Sequence, residues 1–430
     1  MKKTQKNILY ISEFFTSICM IIYVGYYGSS RAFLSNIKDS LTNDFSLTAS
    51  NISLLSSAFF FSYSFLQPLG GYLLDRYRLY ILLPLFFLMS SLINLFFIKT
   101  DSFYILIACR FLLGASFCVT LNGTYKYLAF FPQKYTSGLI NLTLVFMYGV
   151  GALATSSWIK NMMDSLGWKF FLEPFIKKSF FVVAIMFLVM KIRRKIRSLS
   201  EKSTNELSQL SLIKSLKLIL NKDYIVMVIF VTCIAPVSPL LMVGWGNDFF
   251  EIKFGSEMHS IASMPATLNL IGAASGFIYN IFTYKISTKK QMLLYCVISA
   301  FSLFILLTTT NIALFFICCF FIGFVNGGHV IGVTWCQANI DKRCTSLSLG
   351  ILNFLMMFLG NAVIQNISGI ILDFSKSHSK IISSVSKYNY EDFVYMFNFM
   401  FIPIFISFLC ILLIKKKTKS ENKVTKSWEY

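Results

Sequence analysis

The chain has 430 residues, of which 56% are hydrophobic, 17% aromatic and only 13% charged. That is about half the charge of an ordinary soluble domain, so a water-soluble fold has nowhere to place the apolar surface. A net charge of +20 would suit a nucleic-acid binder, but the basic residues gather in short segments between apolar runs instead of on one face, and no nucleic-acid partner is expected.

A helix needs roughly 20 apolar residues to cross the hydrocarbon core, and such runs recur along the chain. They predict spans at 8–34, 49–74, 79–98, 102–131, 135–159 and 176–190, then at 224–249, 259–284, 290–309, 311–338, 345–373 and 391–414. The first run is too long for a cleaved leader and has no small-residue cleavage site, so it is expected to be retained. The predicted class is an all-α polytopic membrane protein. Its parts are an N-terminal six-helix bundle (1–190), a basic linker (191–223) whose end forms a surface helix, a C-terminal six-helix bundle (224–414) and a basic tail (415–430).

An even number of spans puts both termini on one side. Of the 39 Lys and Arg, 26 fall in segments on that side, 11 on the other, and two, Arg110 and Lys126, within the fourth span. Because Lys and Arg are retained in the cytoplasm, both termini are expected there, with the chain in the inner (plasma) membrane. Of the ten cysteines, all but Cys344, at a span edge, lie in apolar runs. They show neither metal spacing nor a disulfide framework and read as small packing residues. No metal and no cofactor is expected.

Six spans, a basic loop and six more spans suggest an internal repeat. Gly114 is followed by Lys134, Thr136, Ser137 and then Gly138-Leu139-Ile140-Asn141. Gly323 is followed by Arg343, Thr345, Ser346 and then Gly350-Ile351-Leu352-Asn353, at an offset of 209 residues that grows to 212 at the second glycine. That offset matches the spacing of the two halves.

The loop after the second span reads Gly71-Tyr72-Leu73-Leu74-Asp75-Arg76-Tyr77-Arg78, and the fourth span contains Arg110-Phe111-Leu112-Leu113-Gly114. Together these resemble the signature loop and the Arg-x-x-x-Gly element of the major facilitator superfamily. The loop departs from the family pattern, with Arg78 at a glycine position and Leu79 and Tyr80 where basic residues belong. The resemblance implies two pseudo-symmetric six-helix bundles that rock about a midplane site, with Gly71, Asp75 and Arg76 as a conformational latch. Within the family the chain is similar to nutrient importers of intracellular bacteria that take up amino acids or nucleosides. The residues behind that likeness are Gln67-Pro68, Gly244-Trp245-Gly246 and the series Gly360, Gln365, Gly369, Asp373.

In such an architecture spans 1, 4, 7 and 10 line the cavity, so their polar residues are the first candidates for solute contact. Span one offers Tyr27 and, one turn later, Arg31, which either snorkels to headgroups or, with Arg110 at similar depth, favours a carboxylate or phosphate. Arg110 has a second reading, a structural bond to backbone carbonyls. Asn122 and Tyr125 follow in span four, with Lys126 as a boundary charge; Trp245 stands in span seven, and Asn326, His329 and Gln337 in span ten. Asn353 joins them from span eleven. His329, with an ordinary pKa near 6.5, and Asp248 are the candidates for proton coupling.

No Gly-rich Lys-Ser/Thr loop, Gly-x-Ser-x-Gly elbow or His-Glu-x-x-His pair occurs, so neither an enzyme nor an ATP-driven pump is expected. The resemblance implies a monomeric secondary transporter of a small polar solute, an amino acid or organic anion, working with H+ in the lipid bilayer. An organophosphate exchanger and a non-transporting sensor with a carrier fold are the alternatives.

Overall fold

The computed structural model describes residues 3–47, 49–129, 133–154, 157–200, 211–241, 245–255, 257, 261, 264–283, 286–378 and 388–414, and no strand occurs among them. The helices of the first half are α1 (Lys3–Ala32), α2 (Ala49–Arg76), α3 (Leu79–Lys99), α4 (Phe103–Leu128), α5 (Gln133–Ala154) and α6 (Trp168–Ser200). Those of the second are α7 (Lys222–Pro239), α8 (Met264–Phe282), α9 (Thr288–Thr308), α10 (Ile312–Asn339), α11 (residues 345–378) and α12 (Tyr390–Leu413). Short helices at Leu34–Phe45, Ser157–Leu166, Leu212–Ile219 and Gly246–Phe254 lie between them.

Among the described residues, α1, α3, α4, α7, α9, α10 and α12 are long and apolar enough by themselves to cross a membrane. Their outward faces carry large apolar side chains such as Phe96 and Phe301, each 65% exposed, which suits lipid and not water. In contrast, α2 turns polar groups inward: Ser62, Ser64 and Gln67 are all buried.

Two helices differ most from the predicted limits. Helix α6 starts at Trp168 and runs through Lys191, Arg193 and Arg194 to Ser200, because Lys and Arg are good helix formers once the chain has left the bilayer. Helix α7 loses α geometry at Ala235–Pro236, where Pro236 and Pro239 supply no donors to the preceding turn, and a new helix begins at Gly246. Residues 201–210 of the linker, the tail 415–430, Gly244 and the side chains of Lys134, Thr136, Ser137, Gln365 and Asp373 lie outside the described residues.

The repeat is visible in the packing. Gly114 of α4 presses on the Phe59 carbonyl of α2, and Gly323 of α10 presses on the Asn269 carbonyl of α8, so close that a Cβ at either would collide. Shortly after each glycine the helix loses its α geometry, at Cys118–Val119 in α4 and at Val325–Gly327 in α10. The halves meet along α2 with α11 and along α5 with α8. We call the end carrying Arg76, Lys126 and Arg343 the basic end.

Candidate functional site

A cavity of about 50 Å³ lies between the halves, room for about three to five water molecules. Its first wall carries Tyr27, Arg31, Tyr63 and Tyr148. Tyr27 and Arg31 are four residues apart on α1 and therefore share a face. Tyr27 stacks on Tyr63 with ring centroids 5.2 Å apart, and the Arg31 guanidinium lies 5.2 Å from the Phe60 centroid. Among the described residues, no Asp or Glu lines the cavity and Arg31 makes no ion pair. Its positive charge is therefore the dominant field in the space, strengthened by the poorly screening surroundings.

The second wall is neutral. Ser238 donates to Asn269 Oδ1 at 2.6 Å, Asn326 Nδ2 donates to Ser238 Oγ at 2.7 Å and to the Gly323 carbonyl at 2.8 Å, and Asn269 Nδ2 donates to the Cys319 carbonyl at 3.3 Å. The α10 break exposes the Gly323 carbonyl to this use, because a turn that leaves α geometry frees backbone acceptors. His329 and Asn353 complete the wall.

Thus the structure brings together Tyr27, Arg31, Asn326, His329 and Asn353. The other expected site residues do not line the cavity. Arg110, at 0% exposure, is sealed inside the first half: its Nε donates to the Leu55 carbonyl at 3.2 Å, its Nη1 to the Ser30 carbonyl at 3.0 Å, and its guanidinium lies 4.6 Å from the Phe59 centroid. The carbonyls and the ring offset burial of the cation, so Arg110 does not converge with Arg31. Tyr125 is buried with its hydroxyl unpartnered, and its carbonyl accepts from Gln337 Nε2 at 3.1 Å. Trp245 packs edge-on against Tyr388 and Phe393, away from the cavity, and Asp248 is exposed. The polar cavity residues not among the expected contacts are Tyr63, Tyr148, Ser238 and Asn269, from α2, α5, α7 and α8.

Asn122 is second in a chain of side-chain amides that crosses between the halves. His329 Nε2 meets Asn353 Oδ1 at 2.9 Å, Asn353 Nδ2 donates to Asn122 Oδ1 at 2.8 Å, and Asn122 Nδ2 donates to Gln67 Oε1 at 2.9 Å. Below it, toward the basic end, Gly71 lies against the Ser346 carbonyl and Gly350 against the Gln67 carbonyl, too close for any side chain. Asp75 then closes the seam. Its carboxylate accepts the Ser346 and Leu347 N–H groups at 3.2 and 2.8 Å and pairs with Lys126 at 3.0 Å. It thereby caps the positive N-terminal end of α11. Arg76 is exposed and donates to the Tyr72 hydroxyl at 2.9 Å, so the cation that meets Asp75 comes from α4 rather than from the neighbouring position.

Comparison with known proteins gives a consistent result. Two solved structures share the architecture. A major facilitator superfamily transporter, FucP, described in the outward conformation, has a TM-score of 0.69 at 12% identity over 94% of this chain and 99% of its own. A variant of the E. coli fucose:proton symporter FucP has a TM-score of 0.64 at 13% identity over 93% and 99%. No protein of curated function matches the sequence. The sequence profile of the Major Facilitator Superfamily matches residues 19–364, which is most of the chain, and this protein belongs to that superfamily.

Proposed function

We propose that this membrane transporter is a secondary carrier that moves a small polar organic solute bearing an anionic group, an amino acid or organic anion, across the inner membrane by alternating access. The observation that carries this reading is Arg31: a cation facing a cavity between the two halves with no carboxylate on the lining to neutralise it. An anionic solute supplies the missing charge and shares the site with tyrosine hydroxyls that both donate and accept. The basic end is cytoplasmic by the bias of Lys and Arg, which puts both termini inside. With Asp75 capping α11, the carrier rests closed on that side, and the solute would leave only after this seam parts. The bundles 1–190 and 224–414 act as the moving bodies of a monomer.

Proton coupling is part of the proposal. His329 is the only lining side chain whose ordinary pKa lies near physiological pH, and the structurally similar FucP is described as a proton symporter. The test is uptake into proteoliposomes of purified protein, with amino acids and small organic acids supplied under an imposed proton gradient. Gradient-driven uptake that Arg31→Gln lowers by at least about tenfold is expected. Uptake indifferent to the gradient removes the coupling, and uptake indifferent to Arg31→Gln removes the site.

A further inference from the structure

The hydrogen-bond inventory of the cavity narrows the solute further, resting on the reading that Arg31 receives an anion. On the second wall the donors of Asn326 and Ser238 are already spent. Backbone carbonyls can only accept, so the contacts to Gly323 and Cys319 fix which end of Asn326 and of Asn269 carries the nitrogen. Asn326 uses both Nδ2 hydrogens, on Gly323 O and Ser238 Oγ, and Ser238 gives its own hydrogen to Asn269. Asn269 Nδ2 gives one hydrogen to Cys319 and keeps the other. What remains on Asn326 is Oδ1, an acceptor with no hydrogen bond among the described residues.

His329 adds a second acceptor. Asn353 Nδ2 gives one hydrogen to Asn122 and keeps a second, and in this orientation its oxygen meets His329. An oxygen there requires a hydrogen on His329 Nε2, and the neutral imidazole then carries a lone pair on Nδ1. That atom too has no partner among the described residues. The positive charge of the cavity thus sits on the α1 wall and its two unspent acceptors on the α10 wall.

We infer that the solute carries a carboxylate together with a hydrogen-bond donor, an amine or a hydroxyl, on the same small frame: an amino acid or a 2-hydroxy acid. The carboxylate sits at Arg31 and the donor at Asn326 Oδ1 and His329 Nδ1. Phosphate esters and dicarboxylates are disfavoured, because a second anionic group would leave Asn326 Oδ1 and His329 Nδ1 desolvated and unpaired. A proton on His329 would turn Nδ1 into a donor and leave the amine to Asn326 alone, so coupling and recognition meet at one atom.

The experiment is a thermal-shift screen of the purified full-length protein, followed by calorimetric titration of whatever stabilises it. Four probe sets are compared: L-amino acids, the matching 2-hydroxy acids, the matching plain carboxylates, and dicarboxylates with phosphate esters. Amino or hydroxy acids should bind at least about tenfold more tightly than the plain carboxylate of the same length. Asn326→Leu should erase that preference, so that amino or hydroxy acids bind no more tightly than the plain carboxylate of the same length, and Asn326→Ser, which leaves more of the wall in place, should lower it. If plain carboxylates or phosphate esters bind as tightly, and Arg31→Gln abolishes that binding, this inference falls alone. If no carboxylate of any set binds, the carrier site at Arg31 falls with it.

Discussion

Two arginines in the first half of the chain carry the same charge and meet opposite fates. Arg31 looks into the cavity from the end of α1, with an aromatic ring beside it and no counter-ion. Arg110 is locked among α1, α2 and α4 by two main-chain carbonyls and the face of Phe59. A cation inside a span costs about 2.5 to 3.5 kcal/mol on insertion scales, and the cost alone does not say which role it supports. At Arg110 two hydrogen bonds and a ring face answer part of it, with Nη2 buried and unpartnered among the described residues; at Arg31 the answer is left to whatever enters the cavity.

The sharpest way to break this contrast is to truncate each side chain and measure folding and flux separately. Arg110→Ala should lower stability by about 2 to 4 kcal/mol, since it opens a void and strands the carbonyls of Leu55 and Ser30 in a dry interior. Arg31→Ala should change stability by less than about 1 kcal/mol while abolishing uptake. Unfolding midpoints in detergent, read beside proteoliposome uptake, decide it. A stable, inactive Arg110→Ala protein would make the two arginines functional equals and overturn the distinction.

The contrast also marks what the amino-acid sequence could reveal. Depth in the bilayer follows from counting residues along an apolar run, so the helix order, the repeat through Gly114 and Gly323 and the face shared by Tyr27 and Arg31 were all legible. Direction around the axis was legible only where the helix stays regular. The breaks at Cys118–Val119 and Val325–Gly327 shift the angular register of α4 and α10, so the 3.6-residue period cannot carry an orientation through them. Gln337 lies beyond one of these breaks and is spent on the Tyr125 carbonyl. Asn269 was missed for another reason. Confining the cavity to α1, α4, α7 and α10 left α8 out, although Asn269, Gly272 and Gly276 recur at helical spacing and mark the face that packs most closely on α10.

Between the sealed and the open arginine stands Asp75, whose partners belong to the second half and are therefore conditional on conformation. Asp75→Asn keeps an acceptor for one N–H of α11 but loses the charge that meets Lys126 and the helix end. It should weaken closure of the basic end and lower uptake by about three- to tenfold, in line with 1 kcal/mol or so of lost capping and pairing. Arg76→Ala, which removes an exposed side chain bonded to Tyr72, should leave uptake within about twofold. Accessibility of a cysteine introduced near the seam reports closure directly. Equal effects from the two substitutions would mean that charge at this loop matters in general and that the α11 contact does not.

The smallest effect is expected where charges meet water. Asp341 and Arg343 pair in the turn before α11, with Arg343 Nη2 at 2.6 Å from Asp341 Oδ2 and the Arg343 N–H donating to Oδ1 at 2.9 Å. The hydrogen bonds from Arg343 hold the Asp341 carboxyl below the usual carboxylate range. A depressed folded-state pKa stabilises the fold fully above the unfolded value, about 3.9, and this stabilisation is lost as pH falls through the folded value. Both side chains are about one-third exposed, at 30% and 32%, so solvent screening holds the contribution below about 1 kcal/mol. Asp341→Asn should therefore lower the unfolding midpoint slightly at pH 7, less in high salt, with the gap shrinking as pH falls below the usual carboxylate range. A gap that persists unchanged at pH 3 would show that shape, and not charge, holds this turn.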